Sequence, residues 1–317
     1  MRRTLFVLGG TGFIGEEFVT GAVSSGFEVR ALARSDASRS RLEALGARPV
    51  AGEAERAGAW RSELRGADAV IDLLQPSLPR RLTPAAVQTI SERRQAFTTR
   101  LIEAIQTLPE GERPVLFSVS GADDLQPDAD GAIDHASQLR REPVAFSRIG
   151  VAVRRLIERS SVEATHVYLG ALVYGPGKVF ADVIVDGLRK RRARVIGDGA
   201  NRLPLVHVTD AGRSLVHLAA FPREQLAGRT FLASDGSNTT QRELLDLTAE
   251  LMGRKRPGSV PEWLAGLVAG RAGVEAITLD AHDDNSALRA TGFDFRFPSH
   301  REGVPDALER LRERRRR

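Results

Sequence analysis

The chain has 317 residues, a formal net charge of +5 and 42% hydrophobic residues, enough apolar material for one large α/β unit or two small domains with a sizeable core. It contains no cysteine, which excludes disulfides, thiolate catalysis and cysteine-based zinc sites and fits a cytoplasmic protein. The apolar run 5–8 is too short for a leader, and no stretch approaches membrane-spanning length; 263–270 is short, ends at Arg271, and is expected within a buried or half-buried helix.

In chain order, Leu5-Phe6-Val7-Leu8 reads as a buried strand that runs into Gly9-Gly10-Thr11-Gly12-Phe13-Ile14-Gly15. Apolar residues at Ile14, Phe18 and Ala22 then follow at helical spacing. A strand, a glycine turn and a helix in that order predict a dinucleotide site. Gly9 permits the tight turn, Gly12 lets backbone approach a pyrophosphate, and Gly15 lets helix and strand pack closely. Free N–H groups at the helix start face the phosphates. Further strands are predicted at 29–33, 69–73, 115–119 and 165–169, alternating with helices such as 84–107 and 147–160. This alternation implies right-handed βαβ units and a Rossmann-type, doubly wound parallel sheet, an α/β fold with ligands at the carboxyl ends of its strands.

The second half mixes turns, Gly175-Pro176-Gly177 and Gly197-Asp198-Gly199, with helices at about 240–253 and 304–314. The expected organisation is a dinucleotide-binding domain over 1–174 that returns to its sheet at about 203–235, and a smaller C-terminal lobe from 175–202 and 236–317 that covers the substrate. Two basic runs, Arg189-Lys190-Arg191-Arg192 and 312–317, carry no interleaved aromatics. They read as a solvated helix face and a frayed terminus, so neither nucleic acid nor membrane is expected as a partner.

These motifs give the chain a resemblance, over nearly its whole length, to the extended short-chain dehydrogenase/reductase superfamily, the NAD-dependent epimerase/dehydratase group. The glycine segment 9–15 looks like that family's glycine motif. Val173-Tyr174-Gly175-Pro176-Gly177 looks like its turn after the sixth strand. Ile196-Gly197-Asp198-Gly199 and Val206-His207-Val208-Thr209-Asp210 are similar to two further segments of the family. The second predicted strand ends at Ala33 followed by Arg34, where a carboxylate would hold the ribose hydroxyls of NAD. Arginine pairs with phosphate, which favours NADP over NAD, and Arg39 and Arg41 could assist. By resemblance, Leu74 lines the cofactor. The expected cofactor site is therefore Gly9, Gly10, Thr11, Gly12, Phe13, Ile14, Gly15, Arg34 and Leu74.

The family's proton chemistry uses a Ser or Thr and a Tyr-x-x-x-Lys pair on one helix. Matching that pattern to this chain puts Phe146 at the tyrosine and Gly150 at the lysine. The two tyrosines of the chain, Tyr168 and Tyr174, do not restore the pair: the first lacks a lysine four residues on, and Gly175-Pro176-Gly177 separates the second from Lys178. Ser120 alone remains of the trio. His135, in the loop after the fifth strand, has a side chain suited to proton transfer near neutrality, and Asp123, Asp124 and Asp134 could orient or replace it. Tyr168 and His166 read as core residues and His207 as structural. No spacing suggests a metal.

Leu169, Gly170 and Leu172 replace residues that are commonly polar in the family. The expected function is a noncanonical NADP-dependent oxidoreductase acting on a small, relatively apolar metabolite. The alternatives are a non-redox isomerase, cyclase or lyase on the same scaffold, or a catalytically silent NADP-binding sensor or subunit. Helices 84–107 and 147–160 resemble the family's dimer-forming pair, which makes a homodimer plausible, although a core face gives the same apolar pattern.

Overall fold

Seven parallel strands form one sheet: β1 (Thr4–Leu8), β2 (Glu28–Ala33), β3 (Arg48–Ala51), β4 (Ala69–Asp72), β5 (Val115–Gly121), β6 (Ala164–Leu169) and β7 (Thr230–Ala233). Their order is β7-β6-β5-β4-β1-β2-β3. The description comes from a computed structural model and covers residues 2–56, 58–75, 83–144 and 146–316. Strand β1 pairs with both β2 and β4, so the chain winds outward in two directions from it. The carboxyl ends of β1 and β4 thus mark the switch point at which such sheets bind ligands.

Helix α1 (Phe13–Ser24) follows β1, α2 (Asp36–Ala44) follows β2, α3 (Pro84–Gln106) follows β4, α4 (Ser147–Glu158) lies between β5 and β6, and α5 (Val208–Ala219) between β6 and β7. Alternate strand residues face opposite layers. Leu5, Val7, Ala31, Ile71, Phe117, Val167 and Phe231 pack with Phe18, Val19, Leu42 and Leu215 of α1, α2 and α5. Phe6, Leu8, Val70, Leu116 and Ala164 pack with Phe97, Leu101, Val153 and Ile157 of α3 and α4. Both faces are covered, so central strands read as continuous apolar runs rather than alternations. Local signals start the helices: Ser35 and Ser38 form a capping box at α2, and Thr83 caps α3 ahead of Pro84.

The edge strand β3, Arg48-Pro49-Val50-Ala51, was not among the expected strands. It buries only Val50, so it carries no periodic signal. Strand β7 pairs in parallel with β6, and Leu205–His207 pairs in parallel with Leu172–Tyr174 in a separate two-stranded sheet. The remaining helices of the second half include α6 (Gln241–Leu251), α7 (Glu262–Ala269), α8 (Arg271–Thr278) and α9 (His300–Arg316). The expectation of a buried or half-buried helix at 263–270 is corrected: α7 leaves Trp263 71% and Val268 81% exposed. Its main packing partner is α8 alone. The expected frayed terminus is also corrected, because α9 is helical through Arg316. Arg310 donates to Thr209 Oγ1 at 2.9 Å and pairs with Glu17 of α1, and Arg314 donates to the Pro176 carbonyl at 2.8 Å.

The apolar faces of α3 and α4 are covered within the chain. Val153 and Ile157 lie in the core, and Ile149 packs with Val87, Ala272 and Ala276. A buried ion pair lies within this layer. Arg94 of α3 reaches Asp72, the last residue of β4, at 2.5 Å; both are buried, and Asp72 also accepts from the Leu74 amide at 3.2 Å. Arg94 further sits 5.1 Å above the Phe97 ring. Removing one member of a buried pair strands the other charge away from water. Arg94→Ala is expected to cost about 3–5 kcal/mol in urea unfolding, and the Arg94→Met/Asp72→Leu double variant to recover most of it. Equal losses in the single and double variants would show that packing, rather than the ion pair, sets the cost.

Candidate functional site

The glycine turn lies at the switch point, and its backbone contacts explain its composition. Gly9 has φ +80°, and a Cβ there would stand 2.6 Å from the Leu73 carbonyl oxygen. A Cβ on Gly15 would stand 2.1 Å from the Gly9 oxygen. The Gly12 amide donates to that same oxygen at 2.9 Å, closing the turn. Helix α1 then starts with Gly12 as its N-cap and without a side-chain cap. Its first amides are left to an outside acceptor, which is how helix starts hold phosphates. Thr11 and Gly12 are exposed at the mouth, while Gly10 and Gly15 are buried. Ile14 packs into the core beneath, and the Phe13 ring lies under Gly175 and Gly177, whose Cβ atoms would come within 3.3 and 3.2 Å of it. Leu74 is half-buried where the chain leaves β4. The residues therefore fit a dinucleotide: a cradle too tight for side chains, an uncapped helix start and a switch point.

A negative charge on α1 near this mouth is neutralised. Glu16, in the first turn, accepts from Arg41 Nε and Nη2, both at 2.8 Å, and the pairing raises the Arg41 pKa. Arg41 is thus committed to Glu16 rather than free to assist as expected. Arg39 lies 3.6 Å from Asp36. Arg34 is exposed just past β2, next to the Ser35 cap, and makes no hydrogen bond or ion pair among the described residues.

On the other side of the switch point, β5 ends at Ser120, which is half-buried. Its Oγ lies 2.5 Å from Oδ2 of Asp124, a residue 1% exposed in the turn that follows. Burial, followed by the neighbouring Asp123, pushes the Asp124 pKa well above the carboxylate range, against smaller lowering by Ser120, Arg140 and Arg154. Asp123, which reaches solvent in part, is raised to about 6, chiefly by desolvation. Phe146 and Gly150 lie at the start of α4, and the space at Gly150 is filled by the Asp124 carboxyl.

The other candidates separate from this group. His135 is exposed and has no hydrogen bond to Ser120; Asp134 is occupied in a local turn with Ala136 and Ser137. Tyr168 pairs in register with Ser120 but is 2% exposed, with its hydroxyl 3.4 Å from Arg154 and its pKa raised by burial. His166 is buried and held neutral, its pKa lowered to about 3 by desolvation and then by Arg154. Tyr174 is fully buried, and Lys178 has φ +52°, so the two share no helix face. His207 is buried between Tyr174 and Phe297, accepts from the Thr209 amide, and starts α5. Asp210 accepts from the Arg296 and Phe297 amides at 3.0 and 2.8 Å, which gives the Val-His-Val-Thr-Asp segment a bracing role. Among the described residues, no group of three or more His, Asp or Glu side chains is placed to hold a metal, and no helix is long and apolar enough to cross a membrane.

Fold and site together define a Rossmann-type dinucleotide-binding protein. The chain belongs to the NAD(P)H-binding family, whose sequence model matches residues 9–195, from the glycine turn onward. Its structural neighbours lie in the extended short-chain dehydrogenase/reductase superfamily. They include the human epimerase family protein SDR39U1 with NADPH, at TM-score 0.77 and 21% identity over 97% of this chain and 100% of that one. Another is the Streptomyces venezuelae dTDP-glucose 4,6-dehydratase DesIV with NAD, at TM-score 0.76 and 23% identity over 98% of each chain. A curated relative from Stigmatella aurantiaca is 4-hydroxy-2-methyl-3-oxo-4-farnesyl-3,4-dihydroquinoline-1-oxide ketoreductase, 24% identical and covering 81% of this chain and 75% of its own.

The expected residues named the glycine turn and Ser120, but not the contact between Asp124 and Gly150. The available signal was a glycine at the lysine position together with an acid four residues after Ser120. The tightness of the turn makes Gly15 the most sensitive position. Gly15→Ala is expected to weaken NADPH binding by more than about tenfold, which is 1.4 kcal/mol, whereas Gly258→Ala, with nothing within 4 Å, leaves it unchanged. Calorimetric titration checks both.

Proposed function

We propose that the protein is an NADP-dependent reductase that converts a carbonyl of a small, relatively apolar metabolite to an alcohol. The observation that carries the reading is Arg34, exposed and unpaired among the described residues where a carboxylate would select NAD. The bound cofactor would supply hydride; the glycine turn and the start of α1 would hold its pyrophosphate, Arg34 its 2′-phosphate, and Leu74 would line it. Ser120, at the carboxyl end of β5, would meet the carbonyl oxygen and stabilise the charge it gains.

The apolar substrate class has three supports. Leu169, Gly170 and Leu172 leave the carboxyl end of β6 and the residues after it without polar side chains. Helix α8 packs over the starts of α3 and α4 through Ala272 against Val87 and Ile149, and α7, which packs on α8, presents Trp263, Leu267 and Val268 outward. The Stigmatella relative is named for a farnesylated ring ketone.

Two measurements test the reading. Arg34→Asp is expected to lower NADPH affinity about tenfold or more, the worth of roughly 1.5–3 kcal/mol for hydrogen bonds to a charged group, with NADH binding no weaker. A panel of cyclic ketones with and without prenyl chains is expected to include members that consume NADPH. Equal binding of both cofactors would overturn the NADP preference, and an untouched cofactor across the panel would overturn the reductase reading.

A further inference from the structure

The space that the lysine of the family would need on α4 is filled by a carboxyl. A Cβ on Gly150 would stand 1.9 Å from Oδ2 of Asp124 and 2.3 Å from Oδ1, so any other residue there would expel this side chain. Asp124 is buried, and its Oδ2 lies 2.5 Å from Ser120 Oγ. Ser120 itself is only half-buried, at the carboxyl end of β5. The charged and titratable groups facing Asp124 are Asp123 and Arg140 from the loop, Arg154 from α4 and Tyr168 from β6. None is a dedicated counter-ion. The Arg140 Nε donates to the Asp123 carbonyl at 2.7 Å and its amide to the Asp124 carbonyl at 2.9 Å, while Arg154 pairs with Glu158 at 2.7 Å. A buried carboxyl without a paired cation is more stable with its proton than without it.

We propose that Asp124 and Ser120 form a proton relay in place of the tyrosine and lysine, with Asp124 as the proton-supplying group positioned behind the Ser120 hydroxyl. The proposal rests on the reductase reading. As the carbonyl oxygen of the substrate gains negative charge, Ser120 Oγ–H gives it a proton and a new O–H bond forms on the alcohol. Asp124 Oδ2 passes its own proton to the Ser120 oxygen, and the carboxylate left behind regains one from solvent before the next turnover. The electron pair arrives as hydride from the reduced nicotinamide, so one hydride and one proton are consumed per carbonyl. Gly150 is what makes the arrangement sterically possible.

The relay makes a protonated acid the active form. Turnover is therefore steady below the pKa of Asp124 and falls as pH rises through it. Infrared titration of the full chain reads the acid directly: wild type minus Asp124→Asn is expected to show a protonated-carboxyl band at pH 7, absent from Gly150→Ala. With NADPH and α-tetralone as the probe ketone, Asp124→Asn is expected to lower kcat about 10²-fold. It should also remove the alkaline fall while leaving KM and NADPH binding unchanged. Should Asp124→Asn not fold, Ser120→Ala is expected to keep the infrared band and lose turnover. An ionised Asp124 at pH 7, or Asp124→Asn (Ser120→Ala in its place) turning over within about twofold of wild type, would overturn the relay while leaving the reductase reading intact. A wild-type protein that leaves NADPH untouched with every ketone would overturn both.

Discussion

The structure turns on a backbone contact with no space for a side-chain carbon. Where β1 ends, Gly9 meets the Leu73 carbonyl of β4, and Gly15 meets Gly9 itself. The pairing of β1 with β4 fixes where Leu73 stands, and the turn fixes where α1 begins. Uncapped amides, a switch point and a half-buried Leu74 thus converge because two strands and one helix come closer than alanine would allow. The Arg41–Glu16 pair completes this half of the site by removing a charge that would oppose a phosphate.

The other half is shaped by the volume left open at Gly150. With no side chain at Gly150, the turn after β5 can fold its second aspartate onto α4. The position that the resemblance assigns to a fixed cation is thereby occupied by a carboxyl group. A lysine keeps its charge across the working pH range, whereas the state of a buried acid follows its surroundings. Burial, Asp123, Arg140 and Arg154 all act on that balance. The electrostatics of this corner are consequently set by the loop 121–140 as much as by the helix.

How much of this was legible follows from the range of each signal. The glycine turn, the apolar runs of the inner strands and the helices near 84–107 and 147–160 are local, and they appear where the sequence places them. Strand β3 escaped notice because a half-exposed edge needs little apolar surface. The exposure of α7 was hidden because apolar composition measures what a helix can bury, not whether a partner is present. The apolar faces of α3 and α4 were ambiguous for the same reason, and Val87, Ile149 and Ala272 show them covered from within. Asp124 and Gly150 are far apart in sequence, and no periodicity reports that one side chain fills the space left by the other.

The brace between the last helix and the first has a consequence for the order of assembly. Arg310 reaches Glu17 across a sequence separation of 293 residues and also holds Thr209, while Arg314 holds the turn above Phe13. Contacts of such separation close late, because the entropy of a long loop must be overcome before they form. Synthesis runs from the amino end, so the glycine turn is made well before α9 and is tied down only once that helix is present. The cradle is thus made before the residues that brace it.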